Sequence, residues 1–316
     1  VGSLANNTTG YSNSAFGVSS LGSNTTGYSN SAYGLNSLSK NTIGYSNAAF
    51  GEYSLGKNIS GITNCAFGAI SLWDNSTGQD NSAFGFANSK NNTTGNGNCS
   101  FGAEGLRNST TGSYNCGFGN KSLFNNNSGT GNGGYGQEAN PTTTNCWNNI
   151  GIGFHSLGQI NGSGNRVLGN EFGFDNIGIG LSAGDRSGNN INGCLFLGAF
   201  ANVTFNNANL TNATAIGRYA TVYQDNTIVL GAISGVNSAL SSTRVGIGTY
   251  NPICPLQVVG STNQFGSWAF YARSGSTTTT GFANSTSGNF SIIASDRIQA
   301  TEFNAVSDAR IKNIQN

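Results

Sequence analysis

The chain has no methionine, 3 prolines, 6 cysteines and one histidine in 316 residues, and 8% of its residues are charged. Each scarcity excludes something. A net charge of +1 without a basic cluster removes the electrostatic footprint of a nucleic-acid binder. No run approaches the roughly eighteen apolar residues of a membrane helix, so no membrane insertion is expected. The cysteines lack Cys-x-x-Cys spacing, and with a single His the pattern of a metal site is missing; neither metal nor cofactor is expected. Methionine is absent even from position 1, and Val1-Gly2-Ser3-Leu4 already sits in the register described below. A fragment or processed product is therefore expected, with any targeting signal outside it.

What is abundant is Gly, 48 residues of it, with Asn, Ser and Thr filling most of the remainder. Such a composition cannot build an ordinary helical or α/β core. It also occurs in disordered chains, but these lack phase-locked apolar columns. Here an aromatic returns every seventeen residues, at Phe16, Tyr33, Phe50, Phe67, Phe84, Phe101, Phe118 and Tyr135. Asn precedes each by three residues, from Asn13 to Asn132, and Gly follows each, from Gly17 to Gly136. Leu recurs at Leu4, Leu21, Leu38, Leu55, Leu72, Leu106 and Leu123, with Ser89 as the defect, and a second Gly column runs from Gly10 to Gly129.

A period this strict and this short is one coil of a parallel β-solenoid stacked on its copies. Residues 1–139 are read as this regular all-β solenoid, with two short β segments per coil, one around Ser-Leu and one around Ser-Ala-Phe. Gly and Asn would form the corners. Eight coils at about 4.8 Å each span roughly 38 Å. Alternation puts Ala15 opposite Ser14 and Phe16, which leaves open the choice of interior face.

One Leu, one aromatic and one Ala per coil bury little against the entropy of ordering seventeen residues, so coil-to-coil hydrogen bonds and stacked Asn must contribute heavily. Several chains are expected to pack side by side with the Phe/Tyr column near their common axis. A homotrimer is the simplest closed arrangement for a fibre.

Cys65, Cys99 and Cys116 share the slot of Ser14, Ser31, Ala48 and Ser82, which reads as a small buried residue. Cys99 and Cys116 lie in successive coils, but parallel side chains point the same way, and no disulfide is expected. The Asn-Thr-Thr column (Asn7-Thr8-Thr9, Asn24-Thr25-Thr26, Asn92-Thr93-Thr94) admits an ice-binding array or glycosylation sequons. Adjacent Thr-Thr beside Gly reads instead as a corner.

From 140 to 250 the strict period is lost while strands ending in Gly persist, as in Ile150-Gly151-Ile152-Gly153 and Leu195-Phe196-Leu197-Gly198. An irregular β head with loops of unequal length projecting from a continuing stack is expected. The run Asn212-Ala213-Thr214-Ala215-Ile216-Gly217 resembles the head repeats of trimeric autotransporter adhesins. The run from Asn226-Thr227-Ile228-Val229-Leu230-Gly231 through Val245-Gly246-Ile247-Gly248 to Leu256-Gln257-Val258 is similar to the segment preceding the chaperone domain of viral and phage tail fibres. Pro252 and Pro255 mark a boundary, after which 251–306 reads as a short β stem or tip. Trp268, Phe270 and Tyr271 there are either a receptor-binding surface or packing between chains of a narrow trimer.

At 307–316, Ser307-Asp308-Ala309-Arg310-Ile311-Lys312 resembles the opening of the endosialidase-type intramolecular chaperone, a self-cleaving family with the signature Ser-Asp-x-Arg-hydrophobic-Lys. That resemblance implies a domain that trimerises a fibre and then releases itself. It implies Ser307 as nucleophile, Lys312 as general base and Ser307-Asp308 as the scissile bond. A Lys desolvated by packing has a lowered pKa and takes a Ser proton more readily. Ser and Lys five residues apart do not meet on one helix, so contact requires a turn or strand.

The reading is a trimeric fibre on a virion surface or otherwise extracellular, mediating attachment to a host glycan or protein receptor. The loops between 140 and 231 and the aromatic tail are the receptor candidates. No enzyme activity on external substrates is expected beyond one self-cleavage. Two other classes remain: a cellular adhesin or filament subunit, and a polysaccharide hydrolase, which would need two facing carboxylates such as Glu138 and Glu171.

Overall fold

The computed structural model describes residues 2–140, 146–158, 173–185, 191–203, 210–236, 238–247, 249–253, 255–258, 262–264, 269–270, 281–282 and 288–290. The described residues are all β, turn and bend, with no helix. Two compact units are present, Val1–Thr243 and Arg244–Asn316.

The first unit is a parallel β-solenoid with one three-residue strand per coil. Its strands run from Ser14–Phe16, Ser31–Tyr33 and Ala48–Phe50 through Ile150–Ile152, Ile177–Ile179, Leu195–Leu197 and Thr214–Ile216 to Ile228–Leu230, thirteen in one sheet. Each pairs in register with its copy in the next coil: Ala15 with Ala32, Ala49 with Ala66, Phe50 with Phe67. The seventeen-residue register continues one coil beyond the expected boundary, since Gly134 pairs with Gly151. It then survives an insertion, because Gly178 pairs with Gly151 across twenty-seven residues. The stack thus continues while loop length varies.

In residues 1–139 only one of the two expected strands per coil forms, whereas in two later coils a second pair, Asn202–Val203 with Thr221–Val222, also runs parallel. The Ser-Leu segment is a turn, with Ser19 at φ 56° and Leu21 at φ 50°, repeated at Asn36 and Leu38 and at Tyr53 and Leu55. Left-handed φ is unfavourable for a residue with a Cβ. Here the turn is held by the stack: Leu38 N–H donates to Ser54 O, and Asn41 N–H closes back onto Leu38 O. Its product is a Leu side chain aimed inward. The Asn residues of the two repeating columns, which begin at Asn7 and Asn13, have ordinary φ, and their side chains serve as rungs.

The interior belongs to the Ala face. Ala32, Ala49, Ala66 and Ala83, with Leu21, Leu38, Leu55 and Leu72, are wholly buried and form one continuous cluster. Two side-chain ladders flank it. In the first, Asn41 Nδ2 donates to Asn24 Oδ1 (2.8 Å) and to Gly44 O (2.9 Å), and the pattern repeats at Asn58 and Asn75. In the second, running from Asn13 to Asn176, each Oδ1 accepts the next rung's backbone N–H and side-chain N–H. An amide side chain carries both N–H donors and an acceptor oxygen, so each rung can donate to one neighbouring coil and accept from the other. A single chain therefore encloses more of its own core than its apolar content suggested, and what it leaves uncovered is the aromatic column.

Two interruptions stand out. At Ser89 the Leu column fails, Asn88 is drawn in beside it, and the continuous Leu/Ala cluster ends at Ala83. At Ser109 the first Asn ladder fails, because the side chain is too short to bridge coils. Asn92 Oδ1 and Ser109 Oγ are both buried without a hydrogen-bond partner. Ser109→Asn is expected to restore the rung and raise stability by about 1–2 kcal/mol, read as a higher denaturant midpoint at unchanged m-value.

In the later coils the interior turns apolar. Phe196 is fully buried in the slot that Ala occupies earlier, and Ile191, Val203, Leu210 and Val222 surround it. Room comes from glycine, since a Cβ on Gly184 would lie 2.9 Å from the Phe196 ring. The second unit holds a parallel pair, Val245–Ile247 with Leu256–Val258, and two antiparallel pairs, Thr262–Gln264 with Gly288–Phe290 and Ala269–Phe270 with Gly281–Phe282.

Candidate binding surfaces

Alternation along the strand decides what each coil displays. With Ala inward, residues on either side of it point outward, so the aromatic column lies on the outer face of the sheet. Tyr33, Phe50, Phe67, Phe84, Phe101, Phe118 and Tyr135 stack face to face at centroid spacings of 4.6–5.6 Å. Ile152, Leu197 and Leu230 prolong the stripe in later coils. Exposure reaches 76% at Phe16, while Phe50 and Phe84 are half-buried. An apolar stripe this long and continuous is unusual on an isolated soluble chain.

The cysteine column shares this outer face. Cys65, Cys99 and Cys116 are half-buried free thiols, less enclosed than the expected core position because they alternate with Ala rather than align with it. Cys146 and Cys194 are buried. Burial pushes the Cys99 thiol above its ordinary value, and Cys116 beside it adds to the rise; burial alone raises Cys65. A raised pKa keeps the thiolate scarce at neutral pH. Cys65 and Cys99 are expected to alkylate several-fold more slowly with iodoacetamide at pH 7.5 in the folded protein than after denaturation, the gap narrowing as pH climbs. Mass spectrometry of labelled peptides reads this out.

The first Thr column is structural. Thr8, Thr25, Thr42 and Thr93 donate their hydroxyls to the backbone carbonyl of the following coil at 2.9–3.1 Å, so that column is spent internally rather than displayed.

Charge concentrates on a different flank. All five Lys and Arg of residues 1–140 fall on three adjacent columns beside the Leu turn: Lys40, Lys57, Lys90, Arg107 and Lys121. Lys57 pairs with Asp74 at 2.6 Å, and Arg107 pairs with Glu104. At the N-terminal end this flank is indented by a groove of about 530 Å³. Its floor is the column Ala5, Gly22, Ser39 and Gly56, small in every coil until Trp73 closes it. One wall is Ser19, Asn36 and Tyr53, the other Ser23, Lys40 and Lys57. The Tyr53 and Trp73 rings meet at 4.5 Å, tilted by 58°, and Lys57 Nζ lies 5.7 Å from the Trp73 centroid. Sequence reasoning missed this groove. Its signal was the replacement of Gly and Ser by Trp within one column.

Other candidates from the sequence fare differently. Ser307, Asp308 and Lys312 lie outside the described residues, as do Trp268, Tyr271 and Glu171; Phe270 falls in the Ala269–Phe270 strand. Glu138 carboxylate pairs with His155 at 2.8 Å. Among the described residues no group of three or more His, Cys, Asp or Glu is placed to hold a metal ion, and no helix is long and apolar enough to cross a membrane. No family model, curated protein or solved structure matches the chain.

Proposed function

We propose that the chain is the rod and head of a trimeric fibre that presents a host-attachment surface on a virion, matured by a self-cleaving C-terminal chaperone that opens at Ser307. The observation that carries this reading is the outer apolar stripe. Its rings repeat at the coil rise, so three chains aligned in parallel bring like residues to the same height, as a closed cyclic interface requires. A helical bundle or globular partner has no such repeat to match it. The fibre-like runs between 226 and 258 and the signature at 307–312 support the viral assignment. Low charge, tight turns and short connections suit a rod that withstands proteolysis outside a cell.

Native mass spectrometry of the purified full chain tests the assembly. A mass of three chains is expected, falling to one chain when Phe50, Phe67 and Phe84 are all replaced by Ser, with far-UV circular dichroism unchanged because these rings lie outside the core. A wild-type monomer, or a variant that remains trimeric, would contradict the reading. Intact mass of chains from the native particle tests processing: the expected polypeptide ends at Ser307, and a longer one contradicts cleavage there.

A further inference from the structure

We infer that the groove closed by Trp73 binds an anionic oligosaccharide, such as a uronic-acid polymer, lying along the solenoid axis. This deepens the adhesive part of the proposed function by naming a ligand class, and it places the site on the regular coils rather than in the aromatic tail.

Three features of the groove converge. Its floor is glycine and serine backbone, which lets a flat ring approach closely. Its closed end is a pair of aromatic rings, Tyr53 and Trp73, whose faces suit the C–H face of a pyranose. Its side wall carries Lys40 and Lys57 in successive coils, about 4.8 Å apart along the stack, while no carboxylate lines the groove. A pyranose is about one coil rise long. A polymer with one carboxylate per ring therefore repeats its charge in step with the two lysines. Lys57 is already engaged by Asp74, which leaves Lys40, with no ion pair among the described residues, as the principal anchor. Lys90, Arg107 and Lys121 stand further along the flank, beyond Trp73, so the selectivity belongs to the indentation and not to the flank as a whole. A single-stranded nucleic acid would need a longer cationic track than two lysines provide.

Calorimetric titration of the full chain with tetragalacturonate, with its neutral galactose counterpart and with oligo-thymidylate tests the assignment. The acidic sugar is expected to bind, to weaken with added salt, and to weaken about tenfold or more in Lys40→Gln and in Trp73→Ala, a loss of about 1.4 kcal/mol. Lys90→Gln should bind as wild type. Both groove residues lie outside the core, and should Trp73→Ala melt early, Lys40→Gln carries the test alone. Equal binding of the neutral sugar, tighter binding of the oligonucleotide, no binding of any probe, or unchanged affinity in Lys40→Gln would each overturn the inference. The outcome is separable from assembly: a monomer that binds the acidic sugar sinks the trimer and keeps the groove, and a trimer that does not bind it does the reverse.

Discussion

Gly51→Ala is expected to destabilise the solenoid by more than about 4 kcal/mol. Gly51 leaves the strand at φ 136°, and a Cβ there would lie 2.6 Å from both the carbonyl carbon and the oxygen of Gly68 in the next coil. Those atoms are backbone, and they cannot retreat, because Gly68 N–H donates to Phe50 O at 2.8 Å and fixes the rise. Gly193→Ala is the control. It has left-handed φ of 61° with nothing within 4 Å of the added Cβ, so it should cost only about 1–2 kcal/mol. Denaturant unfolding followed by circular dichroism compares the two. Similar losses would mean that dihedral strain, not coil-to-coil contact, makes the glycine column necessary.

Asn64→Ala should follow closely, at about 4 kcal/mol. The Asn64 side chain donates to Asn47 Oδ1 and to Gly78 O, and its Oδ1 accepts both the backbone and the side-chain N–H of Asn81. Truncation leaves the Gly78 carbonyl and the Asn81 backbone N–H without these partners inside the coil, each costing about 1–3 kcal/mol. Asn64→Asp separates shape from charge. A carboxylate would face the Asn47 and Gly78 oxygens, so burial and repulsion raise its folded pKa above the unfolded value near 3.9. The folded state then holds the proton more tightly. Stability is therefore greatest in acid and falls as pH rises through the carboxylate range toward neutrality. Unfolding midpoints at pH 3.5 and pH 7 should differ in that direction for Asn64→Asp by more than for wild type.

The period, the parallel stack and the Asn rungs were legible because repetition itself carries them. A column of Asn at fixed spacing has few uses other than a ladder. The choice of face was not legible, since alternation is symmetric between Ala15 and Phe16 until the width of the coil is known. A coil this narrow closes on Ala, Leu and Ser, and among the described residues it admits a ring only at Phe196, where Gly184 gives way. The Ser-Leu turn was read as strand because nothing in a Leu announces left-handed φ; the stack, not the local sequence, imposes it. The groove went unseen because its floor consists of small residues unremarkable one at a time, with meaning only when Gly22, Ser39, Gly56 and Trp73 are aligned by register. Glycine was anticipated at corners but is needed more often for close approach between coils.

The central claim is that identical coils stack with the Ala face inward and the aromatic face outward. A cryo-electron microscopy reconstruction of the purified particle tests it most directly. The account predicts the Phe50 and Phe67 rings one above the other at about 4.6 Å, with Ala66 against Leu55 or Leu72 inside the same chain. Rings buried in the interior of a single coil, or displaced so that successive aromatics do not overlap, would contradict it.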